Sequence, residues 1–418
     1  MEIKQIPTEQ LRPAEYNPRM LTDEQKANLT ESIKRFGLVD PILVNSHPSR
    51  ENIVIGGHQR LLVAKELGYT EVPVVFVSLE EDKERELNLR LNRNTGEWNL
   101  ELLREFDIEL LLDVGFDDTD LGEMWNDHLA VEDDHFDVEK AVREIKKPKA
   151  KFGDLYALGD HRLSCNDATD SEAVKELMNG EKTSFITLDP IYGIQLSYGD
   201  GVSTKGKYGG QERDKLTGEE YRNFLKTVLT NALNHASEDL SAYCWNDQSH
   251  IGLVQELFAE LGLTNRRVCM WVKNNFNPTP QIAWQKSYEP CMYATRGNPY
   301  LNEDYKNLTE ILNKEVDPGN RQIDDIIDIF DIWLAKRVSA IDYTHPTQKP
   351  LDVYEKPLKR CSKVHDICLE LFGGSGSALL ACEQMKRRAY VMEKDPVFVD
   401  VIINRFEEAT GLKAKKLN

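Results

Sequence analysis

The chain has 418 residues, 40% of them hydrophobic, with 52 Lys and Arg against 71 Asp and Glu for a formal charge of −19. At roughly 100–200 residues per domain that length excludes a single small module and predicts two or three domains. No window holds the ~18 uninterrupted apolar residues of a membrane span, Met1-Glu-Ile-Lys lacks the basic start and apolar stretch of a signal peptide, and the seven cysteines are scattered without zinc-ligand spacing. A soluble intracellular protein without a disulfide framework or a metal site is therefore expected.

Residues 1–95 read as a compact mixed α/β unit. Pro41-Ile-Leu-Val-Asn and Asn52-Ile-Val-Ile predict strands, and Gly56-Gly-His-Gln-Arg opens a helix that runs to Leu67 and ends at Gly68. Val72-Pro-Val-Val-Phe-Val-Ser, rich in β-branched residues, predicts another strand, and Glu80 to Asn92 a charged helix. Between Glu97 and Lys140 sixteen acids face only Arg104 and Lys140, a local charge of −14 that leaves −5 for the rest of the chain. Residues 96–151 are accordingly read as an acidic helical connector closed by a basic linker around Pro148.

A second domain, 152–418, begins near Phe152. Strand-like Ser184–Leu188, a helix from Thr217 to Ala236, strand Leu240–Trp245, a helix from Ser249 to Leu261 and strand Arg267–Val272 alternate as in a doubly wound α/β domain, so a parallel sheet is expected. Residues 297–342 break the alternation and read as an insertion, with five basic and ten acidic residues.

Two motifs carry chemistry. Asp366-Ile-Cys-Leu-Glu-Leu-Phe-Gly-Gly-Ser-Gly-Ser377 is a strand that enters a glycine-rich turn before a helix near Ala378, where a ligand can approach the backbone closely. The next strand ends in Glu393, placed to accept hydrogen bonds from ribose hydroxyls. Without a third glycine or an arginine for pyrophosphate, a nucleoside lacking phosphates, such as S-adenosylmethionine, fits better. In Thr187-Leu-Asp-Pro-Ile-Tyr-Gly193 a strand end delivers an acid, a proline and an aromatic ring. A carboxylate from Asp189 and the carbonyl of Pro190 can accept the two hydrogens of an exocyclic amino group and localise its lone pair, while Tyr192 stacks on the base.

Asp189-Pro-Ile-Tyr, His345-Pro-Thr-Gln-Lys-Pro350 and Leu369-Glu-Leu-Phe-Gly-Gly-Ser-Gly376 with Glu393, in that order, resemble the permuted (β) group of amino-methylating DNA methyltransferases. The resemblance covers about Phe152 to Gly411 and implies a Rossmann-like, S-adenosylmethionine-dependent domain. It implies that Glu370, Phe372, Gly373, Gly374, Gly376, Glu393, Lys349 and Pro350 hold the cofactor, and that Gly159-Asp-His-Arg-Leu-Ser-Cys-Asn-Asp167 brings Asp167 to its adenine. Trp271-Val-Lys-Asn-Asn and Trp284-Gln-Lys-Ser-Tyr-Glu-Pro look like family signatures near the base pocket, and 297–342, with Arg321, Lys336 and Arg337, takes the place of the target-reading segment.

One position departs from the family pattern: Ile191 stands where a second proline is usual, and proline's fixed φ is lost with it. In the family it resembles, aspartate at the head of the motif is more typical of adenine-N6 enzymes, so the resemblance implies adenine N6 in duplex DNA. Cytosine N4 and a catalytically impaired DNA- or nucleotide-binding regulator stay open as alternatives. Pro290-Cys291, the nucleophile dipeptide of cytosine-C5 enzymes, lies in a strand away from the Asp-Pro-x-Tyr turn and is set aside.

The amino-terminal unit resembles the ParB/sulfiredoxin-like superfamily in Asn17-Pro-Arg, Ser32-Ile-Lys-Arg-Phe-Gly-Leu-Val-Asp-Pro-Ile and Val54-Ile-Gly-Gly-His-Gln-Arg. The resemblance implies that His58, Gln59 and Arg60 contact nucleotide or DNA phosphate at the start of a helix. The fusion of the two domains points to a phage or mobile element acting in a bacterial cytoplasm, and a homodimer would supply further DNA contacts.

Overall fold

A computed structural model of the protein describes residues 2–20, 23–92, 97–116, 118–125, 129–192, 216–273, 283, 286–302, 331–334 and 349–418. It divides into two compact units, Met1–His128 and Leu129–Asn418. Gly193, Trp284, Gln285, His345 to Gln348 and the candidate target-reading residues Arg321, Lys336 and Arg337 lie outside the described residues. Among the described residues no helix is long and apolar enough to cross a membrane.

The first unit comprises β1 (Ile3–Pro7), β2 (Arg12–Pro13), β3 (Arg19–Met20), α1 (Asp23–Phe36), β4 (Ile42–Asn45), β5 (Ile53–Gly56), α2 (His58–Glu66), β6 (Glu71–Val77), α3 (Glu81–Asn92), β7 (Glu97–Trp98), α4 (Leu100–Leu103), α5 (Ile108–Val114) and α6 (Asp118–Trp125). Its main sheet has the order β1-β6-β4-β5-β2. Ile42, Val44, Val54, Val72 and Val74 from the sheet pack on Leu61 and Ala64 of α2, the period-2 and helical spacings that the sequence shows. Glu84 of α3 is fully buried, and accepts from Tyr16 at 2.7 Å, Asn45 at 2.6 Å and Arg50 at 2.7 Å.

The stretch read as a connector divides between the units. Its acidic part up to Trp125 folds within the first, because apolar residues recur on one side of the short helices: Leu103, Leu111, Leu121 and Met124 are buried and Trp98 meets Phe116 edge to face. Residues 129–151 belong to the second unit, where Val131 and Ala150 join the core.

The second unit runs α7 (Val138–Glu144), β8 (Leu155–Leu158), β9 (His161–Ser164), α8 (Ser171–Met178), β10 (Thr183–Leu188), α9 (Gly218–Leu233), β11 (Ala236–Trp245), α10 (Ile251–Glu260), β12 (Thr264–Val272), β13 (Tyr288–Arg296), β14 (Ile332–Leu334), α11 (Asp352–Cys361), β15 (Ile367–Glu370), α12 (Ser377–Gln384), β16 (Arg388–Met392), α13 (Pro396–Thr410) and β17 (Lys415–Lys416). Helix starts follow local chemistry: Thr217 and Glu220 form a capping box on α9, and Asp395 caps α13 with Pro396 at its first position.

The ten strands lie in the order β14-β12-β13-β11-β10-β15-β16-β9-β8-β17. The centre, β11-β10-β15-β16-β9, is parallel as expected. Outside it the directions mix: β13 runs antiparallel between β11 and β12, β14 is parallel to β12 at the edge, and β8 is antiparallel to both β9 and β17. Apolar side chains of α8, α9 and α10 cover one face and those of α11, α12 and α13 the other, giving a three-layer arrangement. From β10 the chain moves outward to β11 on one side, and from β15 to β16 on the other. The carboxyl ends of β10 and β15 therefore flank the point where strand order reverses, the position at which open α/β sheets bind ligands.

Candidate active site

Both motifs lie at that point. Asp189 directly follows β10, and Glu370 ends β15, its neighbour in the sheet. The backbone N–H of Asp189 reaches Glu370 Oε1 at 3.4 Å, and the N–H of Phe372 donates to the same oxygen at 2.8 Å, so one carboxyl ties the two turns together. Glu370 Oε2 is buried with no partner among the described residues. Burial, reinforced by the charge of Asp189, pushes the Glu370 carboxyl well above the usual carboxylate range.

Asp189 is engaged through both oxygens: Lys349 Nζ lies 2.5 Å from Oδ2 and the Tyr192 hydroxyl donates to Oδ1 at 3.1 Å. Burial holds its carboxyl above the ordinary value although the neighbouring Lys349 pulls it down. Pro190 is buried and Ile191 half-buried, and the short loop keeps Asp189 and Tyr192 in hydrogen-bond contact with isoleucine between them. The ammonium of Lys349, a residue expected at the cofactor, reaches into the Asp-Pro-x-Tyr turn, also meeting the Tyr192 oxygen at 3.0 Å. Pro350 beside it is buried.

Glu289 and Lys273 were not singled out. Glu289 Oε2 lies 3.3 Å from the Tyr192 hydroxyl, as an alternative acceptor for its single proton, and 3.5 Å from Lys349 Nζ, while Lys273 pairs with Oε1. Their signal was present in the two Trp-led segments, which place Glu289 opposite Trp271 in the β12 and β13 pairing. Cys291 is fully buried in β13 and burial pushes its thiol well up, so it is no thiolate nucleophile.

The glycine-rich turn is built against β16 and α13. A Cβ on Gly373 would come within 2.7 Å of Val391 Cγ1 and 3.0 Å of Ile402 Cδ1, and Gly376 takes φ +84° at the start of α12. Glu393 accepts from the N–H of Gly374 and of Asp395, each at 2.8 Å, and burial raises its carboxyl above the usual range. Asp167, after β9, pairs with Lys394 and takes 3.0 and 2.8 Å bonds from the Thr169 N–H and hydroxyl. Asp167, Glu370, Phe372, Gly373, Gly374, Gly376 and Glu393 thus come from the adjacent carboxyl ends of β9, β15 and β16.

A strap from before β8 supports the turn. Asp134 pairs with the buried Arg405 of α13 at 2.5 and 2.8 Å, and Arg405 donates to the Ser375 carbonyl at 3.0 Å. Ser377 in turn donates to the Lys349 carbonyl at 2.8 Å. Arg405→Leu strands the Asp134 charge, which costs about 3–5 kcal/mol where a buried pair is broken. The expected outcome is a lowered melting temperature of the second unit and faster hydrogen exchange at residues 372–377. Native exchange rates in that segment would contradict the support role.

In the first unit, α2 starts after Gly57, whose φ of +89° leaves the Arg60 guanidinium room that a Cβ would crowd at 3.1 Å. Arg60 pairs with Asp40 at 3.2 Å, and Gln59 is half-buried. His58 turns inward: its Nε2 accepts from the Ala14 N–H at 3.2 Å, and burial pushes the ring down to about 4. Because the fold prefers the neutral imidazole, the unfolded chain binds the extra proton first, so stability falls as pH drops from about 6.5 towards 4. Calorimetry across that window is expected to show the first unit losing several degrees of melting temperature, and His58→Gln to flatten the slope.

Two family models match the chain: "DNA methylase" over residues 183–405 and "ParB N-terminal domain" over residues 1–93. The ParB-like nuclease domain-containing protein YnaK of Escherichia coli K12 is 36% identical over 87 residues, 20% of this chain and 95% of that protein. The nucleoid occlusion protein of Geobacillus thermodenitrificans is 33% identical over 84 residues, 20% of this chain, which spans 30% of that relative's length. Among solved structures, the M1.HpyAVI–SAM complex aligns with 58% of this chain and 97% of its own at 20% identity and a TM-score of 0.41, too loose a likeness to bear on function.

Proposed function

The chain belongs to the DNA methylase family and carries an amino-terminal ParB-like domain, and from that premise we propose that it transfers a methyl group from S-adenosylmethionine to the N6 amino group of adenine in duplex DNA. The observation that carries the reading is the meeting of Asp189 and Tyr192 with the glycine-rich turn through Glu370, at the carboxyl ends of β10 and β15.

The residues of the turn fit the methyl donor. Gly373 leaves no space for a side chain, and each Glu393 oxygen already takes one backbone N–H and keeps lone-pair capacity for ribose hydroxyls. Glu370 Oε2, without a partner among the described residues, offers an acceptor for a donor group of the ligand. Asp167 would take the adenine end, with Phe372, Gly374 and Gly376 shaping the turn and Lys349 and Pro350 closing the other side. When bound, S-adenosylmethionine supplies an electrophilic methyl group on a sulfonium.

The chain's own residues then act on the acceptor. The target base leaves the helix stack, at a cost of a few kcal/mol, and stacks on Tyr192. Asp189 and the Pro190 carbonyl accept the two amino hydrogens, which frees the nitrogen lone pair and steadies the positive charge that develops there. As the N–CH3 bond forms the S–CH3 bond breaks, its electron pair staying on sulfur in S-adenosylhomocysteine. The amino proton passes to water only after transfer, when the nitrogen is already acidic, so Asp189 orients rather than acting as a strong base. Aspartate at the head of the motif supports adenine over cytosine, by resemblance. The retained Asp189 to Tyr192 bond supports activity despite Ile191. In the first unit, Arg60, Gln59 and the start of α2 at His58 would hold phosphate of nucleotide or DNA. Action in a bacterial cytoplasm, as a homodimer on duplex DNA, completes the proposal.

Labelled S-adenosylmethionine offered with methylation-free duplex DNA, RNA of the same sequence and a protein extract, side by side, tests it. Label in the duplex alone is expected. Label in RNA or protein, or none in DNA, would overturn the reading.

A further inference from the structure

The site holds one cation more than the transfer step uses at Asp189. Lys349 is 3% exposed in its side chain, with its ammonium 4.8 Å from the Trp245 ring centroid and 2.5 Å from Asp189 Oδ2. That oxygen belongs to the carboxylate which, on the function proposed above, receives the amino group of the target base. An ammonium and a neutral amino group do not compete equally for it, because the charged donor makes the stronger bond. A buried ammonium in turn does not leave one carboxylate for apolar surroundings; it needs another anion within reach.

Glu289 is that anion. Its Oε2 is already 3.5 Å from Lys349 Nζ and 3.3 Å from the Tyr192 hydroxyl, so a small swing of the lysine exchanges one partner for the other. Burial opposes its charge, but Lys349 and Lys273 outweigh that and hold the carboxyl below the usual range. Glu370, the third carboxyl nearby, is pushed the other way and is no competing counter-ion.

We infer, on the basis of the proposed methyl transfer, that Glu289 is a positioning residue which draws Lys349 off Asp189 as the target amino group arrives, so that the lysine occupies the acceptor position until a base displaces it. In the resting site Lys349 pairs with Asp189 and Lys273 with Glu289. In the loaded one both lysines share Glu289 and Asp189 faces the amino group, on which positive charge develops during transfer, so the net charge of the four groups is the same in both states.

The test is steady-state transfer to methylation-free duplex DNA by the full chain and its Glu289→Gln, Glu289→Asp, Lys349→Met and Glu289→Gln/Lys349→Met variants, with donor binding measured by calorimetry. Glu289→Gln is expected to lower kcat about tenfold or more with the donor Kd within about twofold of native, and Glu289→Asp to recover most of the loss. In the Lys349→Met background, where nothing needs drawing off, Glu289→Gln is expected to cost nothing further. Three results would overturn the inference alone in an active native chain: native kcat in Glu289→Gln, donor binding lost in step with activity, or losses that multiply in the double variant. A native chain that methylates no DNA overturns it together with the function on which it rests.

Discussion

Asparagine in place of Asp189 is expected to slow methyl transfer about 10²–10³-fold, the range seen when one preorganised polar group facing developing charge is removed. The substitution keeps the shape of the side chain and changes what it offers. Asparagine presents one accepting oxygen and an amide group whose hydrogens oppose those of the target base. It also removes the charge that lies 2.5 Å from Lys349, leaving that ammonium to Glu289. Single-turnover rates at saturating donor read the effect. Donor binding, which rests on the turn after β15, should stay within about twofold of native, and a near-native rate in Asp189→Asn would contradict the assignment.

The second large effect falls on the donor side. Alanine at Gly373 would bring its Cβ within 2.7 Å of Val391 Cγ1 and 3.0 Å of Ile402 Cδ1, both on elements packed into the core, so the turn itself must give. A backbone shift of about 1 Å in a site can cost about 100-fold, and Gly374, whose N–H bonds Glu393, sits one residue on. Gly373→Ala is therefore expected to weaken S-adenosylmethionine binding about 100-fold by calorimetry, with the second unit still folded by circular dichroism. Unchanged affinity would place the donor elsewhere. The two substitutions separate the halves of the site: one removes rate and spares donor binding, the other removes donor binding first.

Much of this was legible in the residues because local rules and motif order agree. β10, α9, β11 and α10 overlap the segments that apolar periodicity picks out, with β11 starting at Ala236 rather than the expected Leu240, and Gly57 and Gly376 mark the starts of α2 and α12. The antiparallel insertion of β13 between β11 and β12 was not legible, since strand direction depends on pairing partners far apart in sequence. Nor was the split of the acidic stretch: net charge dominates its composition, while the packing of Leu103, Leu111 and Leu121 depends on spacing around short helices. In the site, Asp189, Tyr192, Glu370 and Glu393 came from motifs. Glu289 and Lys273 lie inside the two Trp-led segments, but the contacts of Glu289 with Tyr192 and of Asp134 with Arg405, the latter 271 residues apart, join distant segments, and motif reading passes over such pairs.

Nucleoside analysis of methylation-free duplex DNA after incubation with labelled S-adenosylmethionine, for the native chain beside Ile191→Pro, tests the central claim most directly. The account predicts label in N6-methyladenine from the native chain, because Asp189 and Tyr192 hold their contact across Ile191, and at most a modest gain in rate from proline. Label in N4-methylcytosine, or transfer that appears only in Ile191→Pro, would contradict it.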